Sequence, residues 1–267
     1  MSLLNGIKCG GMEFISIPQS NSMDKYDYHM TLAGVNLTIH LRSEKAAAYF
    51  GGFLKACDTD EGVVRVPEED ISEYAEKWQT DNTAYVEYSL SVFYTCDALL
   101  KSRCCIFHGA VFLWKGKAFL FTAASGVGKT TQLKNWQVMC GNELVVLNGD
   151  KPVLRDEGGR ITVHPSPWKG KERLGDDELT ACLAGIIILE QADRDSIRRM
   201  APAEAIESIL RRVLSTFGTR EIVLDACRFC DSLLRTVPVW HLANRGRIES
   251  AFMTRETLLR EVFTDEI

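Results

Sequence analysis

The sequence predicts an α/β protein: a mixed β-sheet built around a strand–loop–helix unit, a small N-terminal α/β portion and a helical C-terminal portion. Three observations carry this expectation. Val35, Leu37, Ile39 and Leu41 alternate with Asn36, Thr38, His40 and Arg42, the period-two signature of a half-buried strand. The β-rich runs Ile106 to Trp114 and Lys117 to Thr122 lead into a glycine-bearing loop and then a helical stretch, Thr130 to Val138. Ile206, Ile209, Leu210, Val213, Leu214 and Phe217 fall three and four apart, as on one helix face.

Taken in order, Val63 to Val66 reads as a second strand. Pro67-Glu-Glu-Asp70 opens a helix, with acids where the positive helix end favours them. A helix over 84–100 follows, with Val86, Leu90, Phe93 and Leu100 along one face. Residues 1–100 thus form the small portion, and 101–267 the larger one. Lys115-Gly116 suits a tight hairpin turn. Beyond the loop come strand-like stretches at Leu144 to Leu147, Lys151 to Arg155 and Ile161 to His164, and a buried one at Gly185 to Leu189. Ile222, Ala226, Phe229 and Leu233 mark a further helix, Val237 to Leu242 a strand, and Thr254 to Phe263 a terminal helix.

Composition narrows the function. The 267 residues are 46% hydrophobic and 25% charged, which is ordinary for a soluble globular chain. A net charge of −5 argues against a nucleic-acid groove, which carries a basic stripe. The amino terminus lacks the charged and apolar regions of a signal peptide. Apolar runs such as Ala184 to Leu189 are too short to cross a bilayer. A cytoplasmic protein with no membrane partner is expected. Nine cysteines without even spacing suit reduced thiols. Cys227 and Cys230 form a lone CxxC, read as two thiols on one helix, and Cys104-Cys105 receives the same reading.

The chemistry lies in the loop. Ala123-Ala124-Ser125-Gly126-Val127-Gly128-Lys129-Thr130 follows the pattern G-x-x-x-x-G-K-[ST], with alanine in place of the first glycine. Small residues there let backbone N–H groups from Ala124 to Thr131 close on phosphate oxygens, and the following helix offers its amino end to the anion. The expected ligand is a nucleoside triphosphate, ATP with Mg2+. Lys129 would reach the β- and γ-phosphates and the Thr130 hydroxyl would ligate the metal. Asp150 closes the run Leu144-Val-Val-Leu147 through Asn148-Gly149, where a second metal anchor belongs.

Phe107-His108-Gly109 stands upstream of the strand and loop, with the Asp150 strand end downstream. That order resembles HPr kinase/phosphorylase and the related phosphoenolpyruvate-carboxykinase-like P-loop kinases. Asn148-Gly-Asp-Lys-Pro152 and Pro167-Trp-Lys-Gly-Lys171 resemble a subgroup of HPr-kinase-related proteins often found beside peptide-modification genes. The resemblance implies that His108 lies near the transferred phosphoryl group and that the acceptor is a protein serine or a small molecule. By analogy it also implies a homo-oligomer. The family carries two consecutive acids where this chain has Gly149-Asp150, one for the metal and one as base. Asp150 serving both roles, Asp176 or Asp177, or the substrate itself are the alternatives. Lys151, Trp168, Gly170, Lys171 and Arg173 are candidates for the acceptor side. Two readings follow: a kinase acting on a hydroxyl, or a catalytically impaired nucleotide-binding module that assists a pathway such as peptide modification. An ATPase without acceptor is a third.

Overall fold

The computed structural model describes residues 26–56, 63–124 and 126–263. Strands β1 (Asp27–Leu32) and β2 (Val35–His40) form an antiparallel hairpin. Helix α1 (Glu44–Ala48), capped by the Ser43 side chain, leads to β3 (Leu54–Ala56), and β4 (Val63–Val64) completes a four-stranded sheet of order β3-β1-β2-β4. Helix α2 (Glu68–Lys77) begins directly after Pro67 as expected, and α3 (Thr83–Leu100) is capped by Asn82. The apolar stripe expected on α3 is in fact most of its circumference. Val86, Leu90, Val92, Cys96, Leu99 and Leu100 are all buried, because the helix is packed against several elements at once.

The larger sheet is built from β5 (Cys104–Ile106), β6 (Ala110–Trp114), β7 (Lys117–Thr122), then helix α4 (Lys129–Cys140), β8 (Leu144–Asn148), β9 (Val153–Asp156), β10 (Ile161–His164), β11 (Ala181–Gln191) and β12 (Ser196–Arg199). Helices α5 (Pro202–Leu210) and α6 (Arg220–Thr236), strand β13 (Val239–Asn244) and helix α7 (Ile248–Val262) complete it. The strand order is β5-β9-β10-β11-β7-β6-β8, with β13 on the second half of β11 and β12 outside it. Strand β11 runs parallel to β7 and β13. Strand β6 is antiparallel to both β7 and β8. The carboxyl ends of β7, β8, β11 and β13 therefore meet at one edge of the sheet.

Both faces of this sheet are covered, and the side chains alternate accordingly. Val111, Leu120, Ile186 and Ile188 belong to a core that also takes in α3, α6 and the small sheet. Phe112, Phe119, Phe121, Ile187 and Trp240 belong to a second core with Leu133 and Trp136 of α4 and Leu258 of α7. One apolar cluster thus runs from Met30 of β1 to Val239 of β13.

Three expectations are corrected. Ile106 to Trp114 is not one strand: β5 stops at Ile106 and β6 starts at Ala110, leaving Phe107-His108-Gly109 between two different pairings. The periodic face from Ile206 to Phe217 is helical only to Leu210. Past it, Val213 bridges Phe107 and the Leu214 N–H donates to the Ile106 carbonyl, so those backbone groups satisfy the strand break instead of a helix. The C-terminal portion also carries a strand that the pattern did not show, β12, which pairs with the expected strand β13. Among the described residues, no helix is long and apolar enough to cross a membrane. Cys104, Cys105 and Cys230 are buried free thiols, and Cys227 is exposed on the same helix as Cys230.

Candidate functional site

The loop after β7 occupies the common edge. Gly126 and Gly128 have φ of +83° and +110°, left-handed values that disfavour a side chain, although at Gly126 a Cβ would meet no atom within 4 Å. Backbone conformation, not crowding, calls for glycine there. Gly128 is the residue before α4, and no side chain caps that helix end, so the first-turn N–H groups of Lys129, Thr130 and Thr131 are donors suited to an anion. Ala123 is fully buried where the motif usually has glycine, Ala124 is exposed, Val127 is half-buried, and Thr130 and Thr131 are exposed on the first turn. Ser125 lies outside the described residues.

Lys129 is the first residue of α4, and burial pushes its ammonium down to about 8. Asp150 opposes that shift, while Arg212 and Lys151 reinforce it. Such a lysine is poised to gain from a nearby anion.

Asp150 is set by the end of β8. Asn148 is fully buried, and its Oδ1 accepts the N–H groups of Asp150 (2.9 Å) and Lys151 (2.8 Å), while its Nδ2 donates to Ser166 Oγ at 3.1 Å. The Asp150 carbonyl accepts the Gly109 N–H at 2.8 Å, which ties the strand end to the His-Gly pair. His108 Nε2 stands 3.5 Å from Asp150 Oδ1, and the Lys151 ammonium pairs with Oδ2. Burial alone would raise the Asp150 carboxyl, but His108 and Lys151 outweigh it and hold the group well below the usual carboxylate range. Burial pushes His108 down from its ordinary value, against the pull of Asp150. The imidazole is thus neutral near pH 7.

His108 is fixed from both sides of its backbone. Its N–H donates to the Arg212 carbonyl at 2.8 Å, and its carbonyl accepts the Thr122 hydroxyl at 2.8 Å, at the last residue before the loop. Gly109 fits because a Cβ there would stand 2.8 Å from Leu120 Cδ2 and 2.9 Å from the Phe121 carbonyl.

The segment after β10 divides the remaining candidates. Trp168 is 2% exposed, its indole N–H bonded to the Tyr88 carbonyl at 3.0 Å. It is a core anchor and not an acceptor-lining residue, because the aromatic cluster with Phe50 and Tyr88 accommodates it fully. Gly170 packs on Asp150, where a Cβ would come 2.9 Å from the Asp150 Cβ. Arg173 is exposed and leans on the small unit through the Tyr49 carbonyl, and Lys171 is exposed. Lys151 is the one basic residue of this set that touches Asp150. Neither Asp176 nor Asp177 is aimed at the site. Asp176 accepts the Glu178 and Leu179 N–H groups in a turn, and Asp177 pairs with Lys169 at 2.6 Å.

Gly149 has a structural counterpart to its missing side chain. Its N–H donates to the Leu174 carbonyl at 2.9 Å, and a Cβ would meet that carbonyl at 3.3 Å and the Lys169 carbonyl at 3.4 Å. The 169–175 segment lies where a second acid would point.

Sequence reasoning overlooked Arg212. It follows the end of α5, lies beside His108 through the backbone bond above, and its charge is felt at Lys129. The Arg211-Arg212 pair reads as surface at the end of an amphipathic run, so no sequence signal marked it. Among the described residues no cluster of three or more His, Cys, Asp or Glu could hold a metal ion by itself.

Residues 75–245 match the model of a protein family described as SynChlorMet cassette protein ScmC. That span contains the loop, His108, Asp150 and Arg212. No curated protein matches the chain. Among solved structures it is similar to the HPr(Ser) kinase/phosphatase from Coxiella burnetii, with 12% identity and a TM-score of 0.35 over 60% of this chain and 94% of that one.

Proposed function

The chain belongs to the SynChlorMet cassette protein ScmC family, and we propose that it binds ATP with magnesium and passes the γ-phosphoryl group to a hydroxyl of a protein serine or a small molecule. The observation that supports this reading is the meeting of three parts at one sheet edge: the uncapped start of α4 with Lys129, the Asp150 carboxylate, and His108 held between them.

The donor set fits the ligand. Three cations, Lys129, Lys151 and Arg212, outnumber the Asp150 carboxylate, as suits a polyphosphate. The Thr130 hydroxyl and the Asp150 carboxylate are hard oxygen donors that would hold magnesium together with phosphate oxygens and water. The ion, when bound, neutralises phosphate charge. Lys151 must release Asp150 for that, which its flexible stem permits.

In the transfer, the acceptor oxygen bonds to the γ-phosphorus, the bond from phosphorus to the β–γ bridging oxygen breaks, and ADP leaves. Lys129 and the N–H groups of α4 stabilise the charge that spreads over the phosphoryl oxygens. Asp150, held deeply ionised, is a weak base. Neutral His108 is the better one: with Nε2–H turned to Asp150, its Nδ1 takes the hydroxyl proton. This dyad stands in for the acid that Gly149 lacks.

Incubation with labelled ATP, magnesium and serine-containing peptides or hydroxylated metabolites tests the reading. The wild type is expected to transfer label and Lys129→Ala to fall at least about 100-fold below it. Label transfer that is the same in both proteins would reject it. A second reading has its own observation. The 169–175 segment fills the space beside Gly149, which favours a module that binds nucleotide without transferring it. Tight ATP binding with neither transfer nor hydrolysis above the Lys129→Ala background would select that reading.

A further inference from the structure

We infer that the guanidinium of Arg212 receives the terminal phosphoryl group of the bound polyphosphate, so that the site distinguishes a triphosphate from a diphosphate. The inference rests on the nucleotide reading above.

The first support is an unmet hydrogen-bonding need. Arg212 Nε is buried and has no hydrogen-bond partner among the described residues. Its neighbour Arg211 pairs with Glu207, and Arg103, Arg198 and Arg245 each have a carboxylate. Buried charges are ordinarily paired, and an unpaired donor away from water is costly. Arg212 as a residue is half-buried, so an anion that arrives from outside reaches the guanidinium and satisfies this donor. Burial also lowers its own proton affinity, in the direction an anion would reverse.

The second support is placement. The His108 N–H donates to the Arg212 carbonyl at 2.8 Å, and the next residue, Val213, bridges Phe107. Arg212 is therefore adjacent to the His108 that touches Asp150, and its charge is felt at Lys129 of the loop. The position is rigid. Asp97 of α3 accepts the Ser215 hydroxyl, the Thr216 N–H at 3.1 Å and the Thr216 hydroxyl, pinning the connection that bears Arg212. A planar fork carried on this pinned backbone is suited to two phosphoryl oxygens at once, which a lysine cannot match.

The test compares ATP, ADP and inorganic tripolyphosphate by calorimetric titration, with magnesium, in wild type, Arg212→Lys and Arg212→Ala, each first checked for cooperative thermal unfolding. Arg212→Ala is expected to lose about 10–100-fold in ATP affinity while ADP affinity changes less than about 2-fold. Arg212→Lys, which keeps the charge and packing, is expected to lose an intermediate amount and serves if alanine does not fold. Equal losses for ATP and ADP, or none for either, would overturn the inference while leaving nucleotide binding intact. Wild-type binding of tripolyphosphate but not ATP would reject the nucleotide reading, and Arg212 keeps its role if its variants then lose tripolyphosphate. Binding of neither overturns both.

Discussion

Replacing Asp150 by alanine is expected to lower phosphoryl transfer by about 10²–10⁴-fold while ATP affinity measured without metal holds or rises. The two effects have opposite signs for one physical reason. Asp150 is the acid that offsets the charge of Lys129, and its removal strips the site of an anion that a phosphate must approach. The same removal takes away the partner that orients His108, 3.5 Å away, and the carboxylate that would hold magnesium. Asp150→Asn keeps the shape and loses the charge, so it should follow alanine in transfer. Assays of labelled transfer beside titrations in chelator check this. Unchanged transfer, or metal-free ATP affinity falling with it, would show that Asp150 acts only in the fold.

Gly109→Ala is expected to destabilise the protein by about 2–3 kcal/mol, the cost of overpacking a tight site. For a chain of this size that is a fall of roughly 4–12 °C in the unfolding midpoint. The new methyl would stand 2.8 Å from Leu120 Cδ2, which can turn away, and 2.9 Å from the Phe121 carbonyl, which cannot because it is backbone. The chain must move at residue 109, and His108 moves with it. Transfer should therefore drop in the folded fraction as well. Thermal unfolding by circular dichroism, with activity measured well below the midpoint, separates the two. A midpoint within about 1 °C of wild type would mean that the close approach is not maintained in solution.

The parts of the fold legible in the sequence are those where burial repeats with a single period. Strand β2 shows the alternation because Leu37 and Ile39 face the core, although Thr38 and His40 on its other face are buried as well and not half-exposed as expected. Strands β6, β7 and β11 show apolar runs because both faces are covered. The loop was legible because its glycines answer to backbone conformation, which one residue type records. What the sequence hid depends on contacts between distant segments. Nothing local in Phe107-His108-Gly109 says that its backbone bonds go to Pro152, Arg212 and Asp150, yet those bonds break the strand. The face from Ile206 to Phe217 keeps helical spacing although its backbone beyond Leu210 pairs elsewhere, since core contacts can be met by either conformation. Trp168 drew notice as a possible lining residue because glycine and basic residues flank it, whereas its surroundings are aromatic rings from positions 50 and 88. Arg212 went unmarked because a buried Nε–H without a partner is a fact about burial, and sequence does not report burial one residue at a time.

The departure at Gly149 was visible in the sequence, but its meaning was not. The missing side chain is matched by the Lys169 and Leu174 carbonyls packed over that glycine. Restoring an acid there is thus a change of packing as well as of charge. Under the proposed reading, the His108–Asp150 pair is the proton acceptor and does not depend on that acid.

Equilibrium dialysis of labelled ATP with magnesium against the wild type and Lys129→Ala addresses the central claim most directly, because it requires neither an acceptor nor turnover. Saturable binding of one ATP per chain, weakened at least about 100-fold by Lys129→Ala, is the expected result. Absence of saturable binding to a folded wild type, or equal binding to both proteins, would contradict the assignment of the Gly126–Thr130 loop as a nucleotide site.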